Sequence, residues 1–119
     1  MTTTIQAGKL GEDAAVKLLE REGYKILDRN FRSRVGEIDI ISQDGNTLVF
    51  VEVKTRWSKK FGYPEEAVTP RKLWAIGRTG EYYKLTHPNT PDLLRIDVVA
   101  IEVEQGRIVA GKIIKNAGG

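Results

Sequence analysis

Three charged side chains near the middle of the chain have types and spacing suited to phosphodiester chemistry. Asp39 lies in residues 36–41 (GEIDII), and Glu52 and Lys54 lie in residues 48–56 (LVFVEVKTR). Carboxylates bind hard divalent cations such as Mg²⁺, and a neighbouring ammonium group can orient water or offset developing negative charge. We therefore interpret these three residues as the centre of a metal-dependent nuclease site.

The elements that must position these residues are two β-strands joined by a tight turn. Period-two alternation places Glu37, Asp39 and Ile41 on one face of the first strand, with Ile38 and Ile40 on the other. In the second strand Leu48, Phe50, Glu52 and Lys54 share a face, and Val49, Val51 and Val53 form the opposite, apolar face. The two acids therefore project from strands that are otherwise core material.

The register of this hairpin has two possibilities. A two-residue loop pairs Asp39 with Phe50 and leaves Glu52 as its diagonal neighbour, whereas a four-residue loop pairs Asp39 directly with Glu52. Either register brings the carboxylates to one side of the sheet, with Cβ atoms about 5–8 Å apart. A slip of one residue would place them on opposite faces. The alternative to a metal site is a cross-strand acid cluster neutralised by Lys54 and Arg56.

A third acid lies on the first helix, which we predict over residues 5–22. Its apolar residues form one broad arc, and Glu12 falls about 20° from Leu19, at the margin of that arc. Glu12 has two interpretations: an acid near the helix N-terminus, where the macrodipole stabilises it, or a third carboxylate of the metal site.

The remaining pattern predicts a strand over 24–31, a helix over 64–83, and strands over 94–103 and 108–114. Pro70 favours a new helix start, with Thr69 as its N-cap. The inner face of this helix is predicted to contain Ala67, Leu73, Trp74, Ile76 and Tyr83. Because several strands are apolar on both sides, we expect an α/β fold of order α-β-β-β-α-β-β, with helices on both faces of a mixed sheet.

Length and composition indicate one domain spanning residues 1–119, with residues 1–4 and 116–119 frayed. The chain has no cysteine, which excludes a disulfide framework and thiolate metal sites. No apolar run is long enough to span a membrane and no signal-peptide core is present, so a cytoplasmic protein is expected. Nineteen basic against 16 acidic residues give a net charge of +3, which is compatible with nucleic acid but does not argue for it alone.

Basic residues cluster around the predicted site. Their interpretation as a phosphate-binding rim competes with that of ordinary solvated loops and helix surface. The loop at 56–64 interleaves lysines with aromatics, and it could contact nucleic acid, anchor itself on the domain or form a dimer contact. The candidate nucleic-acid-binding residues are Arg32, Arg34, Arg56, Lys59, Lys60, Arg71 and Lys72.

The sequence does not contain the residues or motifs that several other kinds of catalytic site require. There is no cysteine, the only histidine is His87 in a predicted loop, and neither a Gly-Lys-Ser/Thr phosphate loop nor a Gly-x-Ser-x-Gly elbow occurs.

The spacing of Asp39 and Glu52-Val-Lys54 resembles the D-x(n)-E-x-K motif of the restriction-endonuclease-like superfamily. Together with Glu12 on the preceding helix, it is similar to the acidic and lysine set of archaeal Holliday-junction resolvases. Nearly the whole chain also resembles the YraN-type family of uncharacterised bacterial proteins. The matching segments are 8–12, 29–32, 36–41, 50–56, 61–62 and 95–99.

This resemblance implies a nuclease-like fold and a nucleic-acid role. The expected activity is that of a Mg²⁺- or Mn²⁺-dependent DNA endonuclease acting on branched or damaged DNA. The resemblance implies metal binding by Asp39, Glu52, Glu12 and the backbone carbonyl of Val53, with Lys54 as a catalytic residue. Cleavage at a junction requires two matched cuts, hence a two-fold dimer. The alternatives are a catalytically silent nucleic-acid-binding module and a partner-binding scaffold that uses residues 57–63. Arg95 and Asp97 also match the family, and a possible ion pair supporting the site is the only role we predict for them.

Overall fold

The computed structural model describes residues 4–57 and 68–118, and the side chains of residues 4–7 are outside that description. The α-β-β-β-α-β-β order predicted from the sequence is confirmed. The elements are α1 (Thr4–Arg21), β1 (Lys25–Arg32), β2 (Glu37–Asp44), β3 (Thr47–Arg56), α2 (Pro70–Thr86), β4 (Leu93–Glu104) and β5 (Arg107–Ile114).

The described strands form one mixed sheet in the order β1-β2-β3-β4-β5. β1, β2 and β3 pair antiparallel, β3 and β4 pair parallel, and β4 and β5 pair antiparallel. A parallel pair cannot be joined by a tight turn, so the chain between β3 and β4 includes helix α2. The arrangement is that of a restriction-endonuclease-like fold.

The core lies on both faces of the sheet. On one face, α1 packs Ala15 and Leu19 against a cluster that includes Val51 of β3 and Val99 of β4. On the other face, α2 packs Ile76 and Tyr83 against residues that include Ile41, Leu48 and Phe50. We call these the α1 face and the α2 face of the sheet. This two-sided burial agrees with the apolar strands of the sequence.

Helix α2 begins as the sequence predicts at Thr69 and Pro70. The Thr69 side chain accepts a hydrogen bond from the backbone N–H of Lys72 at 3.2 Å, which satisfies one of the free donors of the first turn. Residues 64–67, which we also assigned to this helix, lie outside the described residues.

The rotation of α2 about its axis differs from the prediction at Trp74. This side chain was expected on the inner face but is 59% exposed, whereas Thr79 and Gly80 are buried. Gly80 lies against Phe50 so closely that a Cβ atom there would be 2.3 Å from the Phe50 ring. Because only glycine permits this approach, Gly80 sets which side of α2 meets the sheet.

The C-terminal segment that we expected to fray makes hydrogen bonds to β4. The backbone N–H of Asn116 donates to Oδ1 of Asp97 at 2.9 Å, and that of Ala117 donates to the carbonyl of Ile96 at 2.8 Å. Within the described residues, neither helix is long and apolar enough to cross a membrane.

Candidate metal centre and nucleic-acid interface

The β2–β3 hairpin brings Asp39 and Glu52 together. Ile40 and Val51 form the last pair of the antiparallel ladder, so Asp39 and Glu52 are the next residues on the two strands, and both line one cleft. The backbone N–H of Val53 donates a hydrogen bond to Oδ2 of Asp39 at 2.8 Å. This is the register predicted for direct pairing of the two acids.

The turn of the hairpin is tighter than that register suggested. Asp44 pairs with Thr47, so the loop consists of only Gly45 and Asn46. Gly45 has φ of 59°, a left-handed conformation that glycine adopts without steric cost, and it occupies the first loop position, as in a type II′ turn. The direct register therefore needs two loop residues instead of four.

The alternation of β2 is interrupted at Asp39. Ile38 packs on the α2 face together with Ile41, whereas Ile40 packs on the α1 face. Our prediction that Ile38 and Ile40 share a face was therefore wrong. On the neighbouring strand, Asn30 lies between the residues paired with Ile38 and Ile40 and has φ of 55°. A left-handed residue disrupts the regular pleat, so the irregularity involves both strands beside Asp39.

Asp39 and Glu52 line a cleft of about 390 Å³ between the sheet and α2. Burial, and secondly the negative charge of Glu52, raise the pKa of Asp39 to about 7, while the hydrogen bond from Val53 acts in the opposite direction. Asp39 thus resists ionisation in the metal-free protein, and a cation in the cleft would relieve that resistance.

Glu52 is only 3% exposed and is held by two lysines. Lys72 Nζ lies 2.9 Å and Lys54 Nζ 3.5 Å from its Oε1 atom. The hydrogen bond to Glu52 is the main cause that raises the pKa of Lys72. Lys72, which the sequence indicated only as a candidate nucleic-acid-binding residue, contacts the buried acid of the cleft. No local signal in the sequence indicates this contact, since it depends on how α2 packs.

Glu12 is turned to other partners. Its Oε1 accepts hydrogen bonds from Nε of Arg29 at 2.9 Å and from the side-chain amide of Asn30 at 3.1 Å. Its charge is still among the causes that raise the pKa of Asp39, although the last of them in size. Within residues 4–57 and 68–118, no three acidic or histidine side chains are grouped so as to hold a metal ion.

Four of the other basic candidates lie within the described residues. Arg71 lines the acidic cleft, and Arg32 and Arg34 are exposed on the β1–β2 connection. Nε of Arg56 is buried without a hydrogen-bond partner at the end of β3. Lys59 and Lys60 lie outside the described residues, so their predicted role stays a prediction.

Arg95 and Asp97 form the expected ion pair, but on the opposite face of the sheet. Nε of Arg95 lies 2.8 Å from Oδ1 of the fully buried Asp97, and the Tyr24 hydroxyl donates to Oδ2 at 2.8 Å. Arg95 also contacts Asp44 at 2.7 Å. Tyr24 directly precedes β1 and belongs to the core of the α1 face. The network therefore joins this residue to the end of β2 and to β4, and it does not touch the acidic cleft.

Comparison with known proteins gives consistent matches over most of the chain. Residues 11–101 match the model of a family described as uncharacterised protein family UPF0102. A UPF0102 protein of Caldicellulosiruptor saccharolyticus is 45% identical over 113 residues, which cover 94% of this chain and 96% of the relative. A UPF0102 protein of Syntrophus aciditrophicus is 47% identical, with 87% of this chain and 82% of the relative covered. A UPF0102 protein of Persephonella marina is 47% identical, with 79% and 81% covered.

Proposed function

We propose that this chain, which belongs to the uncharacterised protein family UPF0102, is a metal-dependent DNA endonuclease that hydrolyses phosphodiester bonds. The observation that carries the proposal is the convergence of Asp39 and Glu52 on one cleft, with Lys54 and Lys72 both in contact with Glu52. Two carboxylates and two ammonium groups provide both a cation site and positive charge for a phosphate.

The residues of the cleft fit Mg²⁺ or Mn²⁺. Mg²⁺ usually keeps several waters and is held by one or two carboxylates together with substrate phosphates, so it does not require a three-acid cage. The described contacts engage Oδ2 of Asp39 and Oε1 of Glu52, which leaves a second oxygen on each side chain. The carbonyl of Val53 and the carboxylate of Glu12 are further ligands that the resemblance suggests.

Each residue of the cleft then has a distinct task. A bound divalent ion would neutralise phosphoryl oxygens and lower the pKa of a water nucleophile. Asp39 and Glu52 hold that ion, and the N–H of Val53 fixes the orientation of Asp39. Lys54, 17% exposed, is close enough to the pair to orient the attacking water or offset charge on the phosphate. Lys72 holds the buried Glu52 in place through an ion pair of 2.9 Å.

A cleavage assay tests this proposal. The purified protein is incubated with Mg²⁺ or Mn²⁺ and a panel of junction, flap, single-stranded and linear duplex DNAs. We expect cleavage of at least one DNA, abolished by EDTA and reduced at least about a hundredfold by Asp39→Asn or Glu52→Gln. The matched controls are Asp92→Asn, whose side chain is 96% exposed, and Glu104→Gln on the exposed end of β4. No cleavage, or cleavage equal in all variants, would refute the proposal.

A catalytically silent nucleic-acid-binding module is the second candidate. Glu52 is already neutralised by two lysines and Glu12 by Arg29, so much of the negative charge is balanced without a metal ion. This candidate requires salt-dependent DNA or RNA binding through the basic residues that persists in Asp39→Asn. Binding that survives in a variant without any cleavage, at any metal concentration, would favour it.

A two-fold dimer is part of the proposal only if junctions are the substrate, because their resolution needs two matched cuts. Analytical ultracentrifugation with and without a four-way junction would measure this. A monomer that cuts only flaps or single strands would exclude junction resolution while leaving the endonuclease intact.

A further inference from the structure

A second cavity lies beside the acidic cleft, on the same side of the molecule. Its volume is about 510 Å³, within the range of about 300–1,000 Å³ typical of small-molecule sites. It is bounded by the β1–β2 connection and the outer side of α2. Its lining residues are Arg32, Ser33, Arg34, Val35, Arg78 and Tyr82. Val35 borders both the cavity and the acidic cleft, so the two are neighbours.

The outer side of α2 carries alternating aromatic and basic groups, of which Arg78 and Tyr82 line the cavity. Trp74, Arg78 and Tyr82 are spaced four residues apart, so they lie within an arc of about 80° on one side of the helix. Trp74 is 59% and Tyr82 51% exposed. Tyr82 stacks on Phe31, with ring centroids 6.0 Å apart, which holds its ring in a defined orientation. Exposed aromatics beside arginines are the combination on which nucleic-acid bases stack.

The arginines of the cavity make only weak ion pairs with other residues of the protein. Nε of Arg32 lies 3.6 Å from Glu37, and Nη1 of Arg78 lies 3.1 Å from Glu81, both at exposed positions. Exposed pairs of this kind exchange readily for other partners because water screens them. Arg34 is exposed and makes no ion pair with another residue in the described parts of the chain.

The opposite wall is fixed to α2 before any ligand binds. The hydroxyls of Ser33 and Thr79 lie 2.8 Å apart, and the N–H of Ser33 donates to the carbonyl of Gly36 at 2.8 Å. Gly36 packs closely against α2, since a Cβ atom added to it would lie 3.1 Å from Cβ of Ala75. The loop and the helix therefore form a preorganised pocket, which lowers the entropic cost of binding.

We infer that this cavity binds one unpaired nucleotide of a nucleic-acid strand, with its base stacked on Tyr82 and its flanking phosphates held by Arg34 and Arg78. The size of the cavity favours a single nucleotide, and a paired base could not reach Tyr82 without leaving its stack. Since the cavity adjoins the acidic cleft at Val35, the inference names substrates with unpaired nucleotides as those of the proposed nuclease. The binding inference rests on the proposed nuclease function only where it concerns the position of the cut.

Binding measured without metal tests the inference separately from catalysis. Fluorescence anisotropy in EDTA compares three labelled DNAs of one sequence: a single strand, a perfect duplex and a duplex with one unpaired nucleotide. An RNA version of the single strand distinguishes the two nucleic acids. We expect the single strand and the bulged duplex to bind at least about fivefold more tightly than the perfect duplex.

The variants separate stacking from charge. Tyr82→Leu is expected to remove at least about fivefold of the affinity for unpaired substrates, and Tyr82→Phe to retain it. Arg34→Gln is expected to weaken binding to every DNA and to reduce the salt dependence by about one phosphate contact. The controls are Arg107→Gln and Leu93→Ala, both at exposed positions that line neither the cavity nor the acidic cleft.

Two results would overturn the inference: no nucleic-acid binding by the native chain, or a preference for unpaired substrates that Tyr82→Leu and Arg34→Gln leave unchanged. Circular dichroism establishes whether each variant is folded. If Tyr82→Leu does not fold, the binding of Arg34→Gln provides the test. If cleavage does not depend on Asp39 but Tyr82→Leu still removes the preference for unpaired substrates, only the proposed nuclease function is refuted. If cleavage depends on Asp39 but Tyr82→Leu leaves that preference unchanged, only the proposed nucleotide cavity is refuted.

Discussion

Lys72 Nζ lies 2.9 Å from Oε1 of Glu52 and thereby joins helix α2 to strand β3 at the floor of the acidic cleft. Glu52 has only 4% of its side chain exposed, whereas Lys72 has 45%. Losing the ion pair therefore costs more free energy at Glu52 than at Lys72, because a buried charge without a partner is costly.

Lys72→Met is expected to destabilise the protein by about 1–2 kcal/mol, less than for a fully buried pair because Lys54 still contacts Glu52. Urea unfolding measures the change. Arg71→Met, an exposed neighbour on the same turn, is the control. In the double variant with Glu52→Gln, the cost of losing Lys72 should largely disappear; a full, additive cost in that background would show that the ion pair does not stabilise the fold.

The raised pKa of Asp39 predicts a specific pH dependence of stability in the metal-free protein. Between the ordinary aspartate value of 3.8 and about 7, the folded chain keeps a proton that the unfolded chain has released. The free energy of unfolding therefore falls as pH rises through this interval. Asp39→Asn lacks this proton, so its stability relative to the native chain should increase by about 1–3 kcal/mol between pH 5 and pH 8.

Thermal unfolding in EDTA at several pH values measures this difference. Asp92→Asn, which removes an exposed acid, should show no comparable change. A constant offset between Asp39→Asn and the native chain from pH 5 to pH 8 would contradict the raised pKa.

Two glycines of α2 give a matched pair for the packing of this helix. Gly80→Ala places a methyl group within 2.3 Å of the Phe50 ring, whereas Gly77→Ala meets no atom within 4 Å. We expect Gly80→Ala to lower the free energy of unfolding by about 1–3 kcal/mol through overpacking. Gly77→Ala should raise it by about 0.5–1 kcal/mol, because alanine loses less backbone entropy in a helix. Equal effects in chemical denaturation would mean that the contact with Phe50 does not position α2.

Arg95→Met is expected to destabilise the fold strongly without affecting the acidic cleft. It removes the ion pair with the fully buried Asp97 and the contact with Asp44, at a cost of about 3–5 kcal/mol. Nucleic-acid binding per folded molecule should stay unchanged, since the network lies on the other face of the sheet. Arg107→Met, exposed on β5, is the control. A loss of binding at temperatures where the variant is folded would instead connect Arg95 to the site.

The sequence predicts the parts of the structure that depend on local patterns. Alternation indicates that Asp39 and Glu52 share a face, and Pro70 with Thr69 indicates where α2 begins. It does not predict contacts that depend on how two elements pack. The inward direction of Lys72, the exposure of Trp74 and the engagement of Glu12 by Arg29 all follow from helix placement, which a single sequence does not encode locally. The interruption at Asp39 was missed because nothing in the sequence of β2 marks the left-handed Asn30 on β1.

The parallel pairing of β3 with β4 has a consequence for the order of folding. The two acids lie on one short-range hairpin, which forms quickly because its loop is small, whereas β4 and α2 join through distant contacts that form more slowly. Asp39 and Glu52 are thus brought face to face before Lys72 arrives to compensate them. We expect divalent cations to accelerate refolding of the native chain, and much less that of Asp39→Asn.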